Sequence, residues 1–181
     1  MRCFIGCSVS RSDQTALAAL LQSRAGAGWR PIPAANYHLT LCFLGDQLPV
    51  TLSALAERLR TAVPRRPCHG HALALAPFPT PAAPLLALAL VPDAALQALH
   101  AAVVRCVAAA GILCKGSEFR PHISLARGAG ELRAEALELA LWFNELCLFQ
   151  SIPTPASRRY ERLDSFALGD DRAPPGDRAK G

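Results

Sequence analysis

His38-Leu-Thr-Leu41 and His122-Ile-Ser-Leu125 are two copies of one pattern: a histidine, an apolar residue, a hydroxyl residue and a leucine. Successive side chains of a β-strand point to opposite faces, so His38 and Thr40 share one face while Leu39 and Leu41 share the other. The same holds for His122 and Ser124 against Ile123 and Leu125. Burial of the apolar set fixes each strand. The imidazole and hydroxyl then project from the open face, about 6–7 Å apart along the strand. Two such strands side by side would surround one small anion. The copies start at residues 38 and 122, close to half the folded length apart, and each is followed by a turn and a helix. That order suggests an internal duplication of a β/α unit.

Outward from these strands, residues 2–9 read as a core strand, and Ser10 or Ser12 caps a helix with Leu17, Leu20 and Leu21 on one stripe, ending near Gly26. Trp29 to Asn36 carries two prolines and reads as a loop. A helix is expected from about Val50 to Ala62, then strands at about 69–78 and 85–91 joined by a proline-rich turn. Asp93 caps a helix that Gly111 ends. A short helix over 131–140 and strands near 145–150 and 159–167 complete the fold. The expected organisation is one domain over 1–169, with a charged, Pro/Gly-rich and disordered tail over 170–181.

The chain has 181 residues, 51% of them hydrophobic, enough for a substantial core. Its net charge of +5 comes almost wholly from arginine, since Lys115 and Lys180 are the only lysines. That balance suits an anionic partner and falls short of the density of a nucleic-acid coat protein. The seven cysteines are odd in number, and Cys3, Cys7, Cys42, Cys106 and Cys147 lie in apolar runs, so buried free thiols are expected. The start of the chain lacks a signal-peptide pattern. The most apolar stretch, Ala82 to Val91, is about half a membrane span. These features together point to a cytoplasmic protein with no membrane partner.

Two imidazoles approaching one site from opposite sides can divide proton transfer between them, because an ordinary imidazole pKa near 6.5 leaves both forms accessible. One takes a proton from water and the other gives one to a leaving oxygen. The hydroxyls of Thr40 and Ser124 can donate to phosphoryl oxygens as charge develops there. A cyclic phosphodiester suits such a site, and no metal or other cofactor is required. Cys68-His69-Gly-His71 supplies metal-ligand types without a partner cluster of the usual spacing, so no metal site is expected. Phe78, beside the proline-rich turn, is a candidate for stacking on a nucleobase. Strand alternation alone would put Arg127 on the face opposite His122.

Asn36-Tyr-His-Leu-Thr-Leu-Cys-Phe-Leu-Gly45, Phe119-Arg-Pro-His-Ile-Ser-Leu-Ala-Arg127, the opening Arg2-Cys-Phe-Ile-Gly6, Trp29-Arg-Pro31 and the Ser157 to Leu168 segment together resemble one family. It is the two-histidine (2H) phosphoesterases, and within it the bacterial RNA 2′,3′-cyclic phosphodiesterases, historically called 2′-5′ RNA ligases. The resemblance implies an α/β (α+β) bilobal fold, two pseudo-symmetric antiparallel-sheet lobes with outer helices around a central cleft. It also implies that His38 is the proton donor, His122 the base, Thr40 and Ser124 the phosphate holders, and Arg127 a further phosphate ligand. The implied activity is metal-independent hydrolysis of 2′,3′-cyclic phosphate RNA ends to 2′-phosphomonoesters by a monomer. Alternatives are 2′-5′ ligation or 2′-5′ phosphodiester cleavage at the same site, and a non-catalytic module that binds RNA ends.

Overall fold

The computed structural model describes residues 1–78, 84–114, 118–132, 137–155 and 157–169. The expected tail at 170–181 and most of the proline-rich turn lie outside the described residues.

In chain order the elements are β1 (Arg2–Ser8), α1 (Arg11–Arg24), β2 (Trp29–Pro31), β3 (His38–Asp46), α2 (Pro49–Ala62), β4 (Cys68–Phe78), β5 (Leu85–Leu90), α3 (Ala94–Ala109), β6 (His122–Gly128), β7 (Ala140–Phe143), β8 (Glu145–Pro153) and β9 (Arg158–Ala167). Ser10 caps α1 by accepting from the Asp13 amide, and Asp93 caps α3 through the Leu96 amide. The strands pair antiparallel in the order β7-β4-β5-β6-β3-β1-β8-β9, with β2 added on β6. This is the antiparallel-sheet α+β fold that the family resemblance implies.

The two motif strands lie side by side at the centre of the sheet and meet at the pair Leu39–Ile123. Each heads a run of four strands, β6-β5-β4-β7 on one side and β3-β1-β8-β9 on the other. Each is also joined to its outer neighbour through a helix, β1–α1–β3 and β5–α3–β6. The helices then cross over: α1 packs against β6, and α3 against β3. Either motif strand is therefore backed by a helix belonging to the other half, which locks the two halves together.

The core lies between that face and the helices. Leu39, Leu41, Ile123 and Leu125 are buried there with Leu17 and Leu21 of α1, Leu52, Leu55 and Leu59 of α2, and Leu96, Leu99 and Val103 of α3. Burying each such side chain contributes about 1.5–3 kcal/mol of transfer free energy. On the opposite face a smaller cluster forms from Phe4, Cys147 and Phe149, with Tyr160 against it. Gly6, across from Thr40, lets β1 approach β3 closely, since a Cβ there would come within 2.6 Å of the Leu39 carbonyl oxygen.

Three local expectations need correction. The described residues of the expected 131–140 helix are not helical: Leu132 forms an isolated bridge with Ala25, residues 137–139 are irregular and Ala140 begins β7, which pairs with Cys68–His71 of β4, while 133–136 lie outside the described residues. The available strand edge overrides local helix propensity. The Trp29–Asn36 loop contains β2 and one 3-10 turn at Ala34–Asn36; Pro31 is tolerated because β2 pairs on one side only. Cys42 is not a free thiol but forms a disulfide with Cys114, which the chain after α3 carries to a Cα–Cα distance of 5.9 Å. Cys3, Cys7, Cys68, Cys106 and Cys147 are free and buried. Among the described residues no helix is long and apolar enough to cross a membrane.

Candidate active site at the centre of the sheet

Alternation places His38 and Thr40, and likewise His122 and Ser124, on the face away from the helices; all four are half-buried. Continuing the Leu39–Ile123 register sets His38 across from Ser124 and Thr40 across from His122. The four polar side chains thus occupy the corners of one patch, related by a local two-fold through that apolar pair. The Thr40 and Ser124 hydroxyls have no protein partner among the described residues, so both are free to donate to a ligand.

The repeat continues beyond the four residues that advertise it. From His38 to Phe43 and from His122 to Arg127 the burial sequence is identical: half-buried, buried, half-buried, buried, buried, exposed. Two buried residues in succession break the alternation, and pairing shows why. On β3, Thr40 faces Gly6 and Cys42 faces Ile5, leaving Leu41 as an extra residue. On β6, Ser124 faces Ala87 and Ala126 faces Leu86, leaving Leu125 as an extra residue. Each motif strand therefore carries a β-bulge directly after its hydroxyl residue. A bulge reverses the phase of everything beyond it. Arg127, opposite Leu85, consequently emerges on the histidine face, where plain alternation would have excluded it. Phe43, opposite Phe4, emerges on that face at the equivalent position and is 53% exposed.

The two imidazoles are held alike. His38 Nδ1 donates to the Asn36 carbonyl at 2.6 Å, and His122 Nδ1 donates to the Arg120 carbonyl at 2.7 Å. A carbonyl can only accept, so each ring carries its proton on Nδ1 when neutral and leaves Nε2 as the basic atom. The 3-10 turn before His38 and the Arg120-Pro121 segment before His122 supply these carbonyls.

Their surroundings differ. His38 sits in an aromatic enclosure, 4.7 Å from the Phe4 ring, 5.0 Å from Tyr160 edge-on and 6.0 Å from Phe149. Burial, against the partial support of the Asn36 carbonyl and with a smaller contribution from the His122 charge, lowers its pKa to about 4. His122 stacks on Phe78 at 4.0 Å, and the Arg120 guanidinium lies 4.6 Å from the centre of that same ring. Burial also lowers the His122 pKa, the Arg120 carbonyl opposes this, and the Arg120 charge adds to it. The shift at His38 is the larger. His38 is thus the harder of the two to protonate.

Phe78 is at the site, as a wall of the His122 ring. Tyr160 borders His38, whereas Tyr37 is buried and Trp29 packs on the core with its indole N–H donating to the Glu131 carbonyl at 2.9 Å. His69 and His71 contact each other at 5.1 Å on β4; no group of three or more metal-ligating side chains forms among the described residues. His100 stacks on Phe119 at 4.2 Å, bracing the chain that enters the second motif.

The family model described as the 2′-5′ RNA ligase superfamily matches residues 13–157. This chain belongs to that superfamily. Its fold is also that of solved proteins. A Thermus thermophilus protein, TT0787, superposes with a TM-score of 0.73 at 27% identity over 94% of this chain and 100% of its own. E. coli LigT, solved with 3′-AMP, gives 0.77 at 22% identity over 92% and 97%. A more distant likeness is the MHV ns2 PDE domain, with a TM-score of 0.56 at 14% identity over 82% and 98%. No curated protein matches the chain. The superfamily is one of phosphoesterases and ligases, so the protein is an enzyme acting on phosphodiester bonds.

Sequence reasoning missed Phe43, Asn36 and the bulge that turns Arg127, named from the resemblance as a phosphate ligand, onto the histidine face. The signal available was the apolar doublet closing each strand, Leu41-Cys42 and Leu125-Ala126, which marks where alternation stops.

Proposed function

We infer that the protein hydrolyses the 2′,3′-cyclic phosphate end of RNA to a 2′-phosphomonoester. The observation that carries this reading is the pair of imidazoles on one sheet face. Both are pinned at Nδ1, and two hydroxyls without a partner among the described residues fill the other corners of the patch. Water loses a proton to Nε2 of one histidine and attacks phosphorus; the P–O3′ bond breaks and O3′ takes a proton from the other. One water is consumed, and the histidines exchange protonation states before solvent resets them. Thr40 and Ser124 donate to the non-bridging oxygens, and Arg127 offsets their charge. Phe78 holds the His122 ring at the edge of the substrate site.

Family resemblance assigns the acid to His38 and the base to His122. Burial makes His38 the harder ring to protonate, so that assignment rests on the resemblance; an anionic substrate would favour the imidazolium of either ring. The donors present supply an acid, a base and charge neutralisation, so the proposed chemistry runs in a monomer without metal. The solved complex of E. coli LigT with 3′-AMP supports a nucleotide ligand at this fold.

The test is incubation with RNA ending in a 2′,3′-cyclic phosphate, in EDTA, with identification of the oxygen that keeps the phosphate. A 2′-phosphomonoester is expected. A 3′-phosphate product, or turnover confined to 2′-5′-linked dinucleotides, would overturn the reading.

A further inference from the structure

Arg30 of β2 stands directly across from Arg127 of β6 in an antiparallel pair, so the two side chains leave the same face of the sheet. The bulge at Leu125 makes that face the one carrying His122 and Ser124. Both arginines are exposed. Like charges opposite one another on paired strands destabilise the pair unless something offsets them. Here nothing does: among the described residues neither guanidinium has an acidic partner. Three other arginines are neutralised, Arg162 by Glu145 at 2.7 Å, Arg159 by Glu161 at 3.6 Å and Arg60 by Asp164 at 2.6 Å; what sets Arg30 and Arg127 apart is that they face each other across one strand pair.

The Arg30 backbone is well held. Trp29 on one side donates its indole N–H to Glu131, and Ile32 on the other donates its amide to the Leu125 carbonyl at 2.8 Å. With the bulge counted, Arg127 lies two effective strand positions past Ser124, about 6–7 Å along β6. That separation is comparable to the spacing of successive phosphates in a single strand.

We propose that Arg30 forms a second phosphate subsite, with Arg127 shared between it and the terminal cyclic phosphate; the subsite holds the phosphodiester adjoining that terminus in an RNA chain. This rests on the phosphodiester reading of the histidine pair and adds to it a substrate class, the oligonucleotide end in preference to the free nucleotide.

The test compares kcat/KM for a nucleoside 2′,3′-cyclic phosphate with that for a trinucleotide carrying the same end, in the wild type, Arg30→Gln and Arg30→Lys. Arg30→Gln is expected to lower the trinucleotide value about 5–10-fold, through KM, and to flatten its salt dependence by somewhat under one unit of log–log slope. It should change the mononucleotide value by less than twofold, and Arg30→Lys should keep most of the trinucleotide preference. Equal losses on both substrates, or no loss on either with unchanged melting temperature, would overturn the subsite. Should the wild type turn over neither substrate, the hydrolytic reading fails by itself. The subsite is then decided by anisotropy with a labelled trinucleotide: equal affinity of the wild type and Arg30→Gln would overturn it, and weaker binding by Arg30→Gln would support it.

Discussion

The β3 half and the β6 half share a backbone and differ in what surrounds it. Both offer a histidine pinned through Nδ1 to the carbonyl two residues earlier, a free hydroxyl, a bulge, and an exposed side chain five residues after the histidine. On β3 that last side chain is Phe43 and the histidine is boxed in by Phe4, Phe149 and Tyr160. On β6 it is Arg127, with Arg120 and Arg30 nearby and no offsetting acid among the described residues. Duplication of backbone places two equal groups, and the divergence of their neighbours makes the groups unequal. An acid–base pair needs that inequality, since one imidazole must begin protonated and the other neutral.

The largest effect expected comes from removing either histidine. His38→Ala and His122→Ala should each lower kcat on cyclic-phosphate RNA by at least about 10³-fold with the circular dichroism spectrum unchanged. A substrate with an activated aryl leaving group separates the halves, because it needs no acid. It should restore much of the rate to His38→Ala and little to His122→Ala. The opposite pattern would exchange the two roles, and near-normal rates in either variant would remove the pair from the chemistry.

Next come the hydroxyls. Thr40→Val and Ser124→Ala should each cost about 10–100-fold, mainly in kcat, as loss of a donor to developing charge does. Ser124→Thr should be nearly neutral, since it keeps the donor and adds a methyl that restricts the rotamer. A loss confined to KM would mean that these groups only bind the ground state.

The aromatic enclosure makes a prediction about pH. Folded, His38 takes up its proton only near pH 4, whereas the unfolded chain does so near 6.5. Between those values the unfolded chain binds more protons, so stability falls as pH drops from about 6.5 to about 4 and levels off below. Partial exposure trims the effect to on the order of 2 kcal/mol. Urea unfolding across this range should show the slope in the wild type and lose most of it in His38→Gln. An unchanged slope would mean that another group carries it.

The smallest effect concerns what steadies each turn. The Asn36 amide donates to the Arg158 carbonyl at 2.8 Å, tying the turn before His38 to β9, while the side chain of Arg120 rests on Phe78. Asn36→Ala should cost about 1 kcal/mol of stability and a severalfold fall in kcat; Arg120→Ala should leave stability within about 0.5 kcal/mol. Equal stability losses would show that the two turns are braced alike.

Much of this was legible in the chain. His38-Leu-Thr-Leu41 and His122-Ile-Ser-Leu125 specify strands, faces and polar pairs because side-chain alternation is a local property of the backbone. Caps at Ser10 and Asp93 are local too. The expected helix over 131–140 fails and β7 at Ala140–Phe143 was not legible, because a strand edge on β4, distant in sequence, decides the state of that segment.

By itself the sequence determined the two polar pairs, the apolar faces beneath them and the helices that cover those faces, since period and capping act within a few residues. Only the tertiary structure decided which face Arg127 and Phe43 occupy, which surroundings separate His38 from His122, and that Arg30 meets Arg127. Bulges, burial and register arise from pairing with β1, β2 and β5, and no residue carries that pairing in its immediate neighbours.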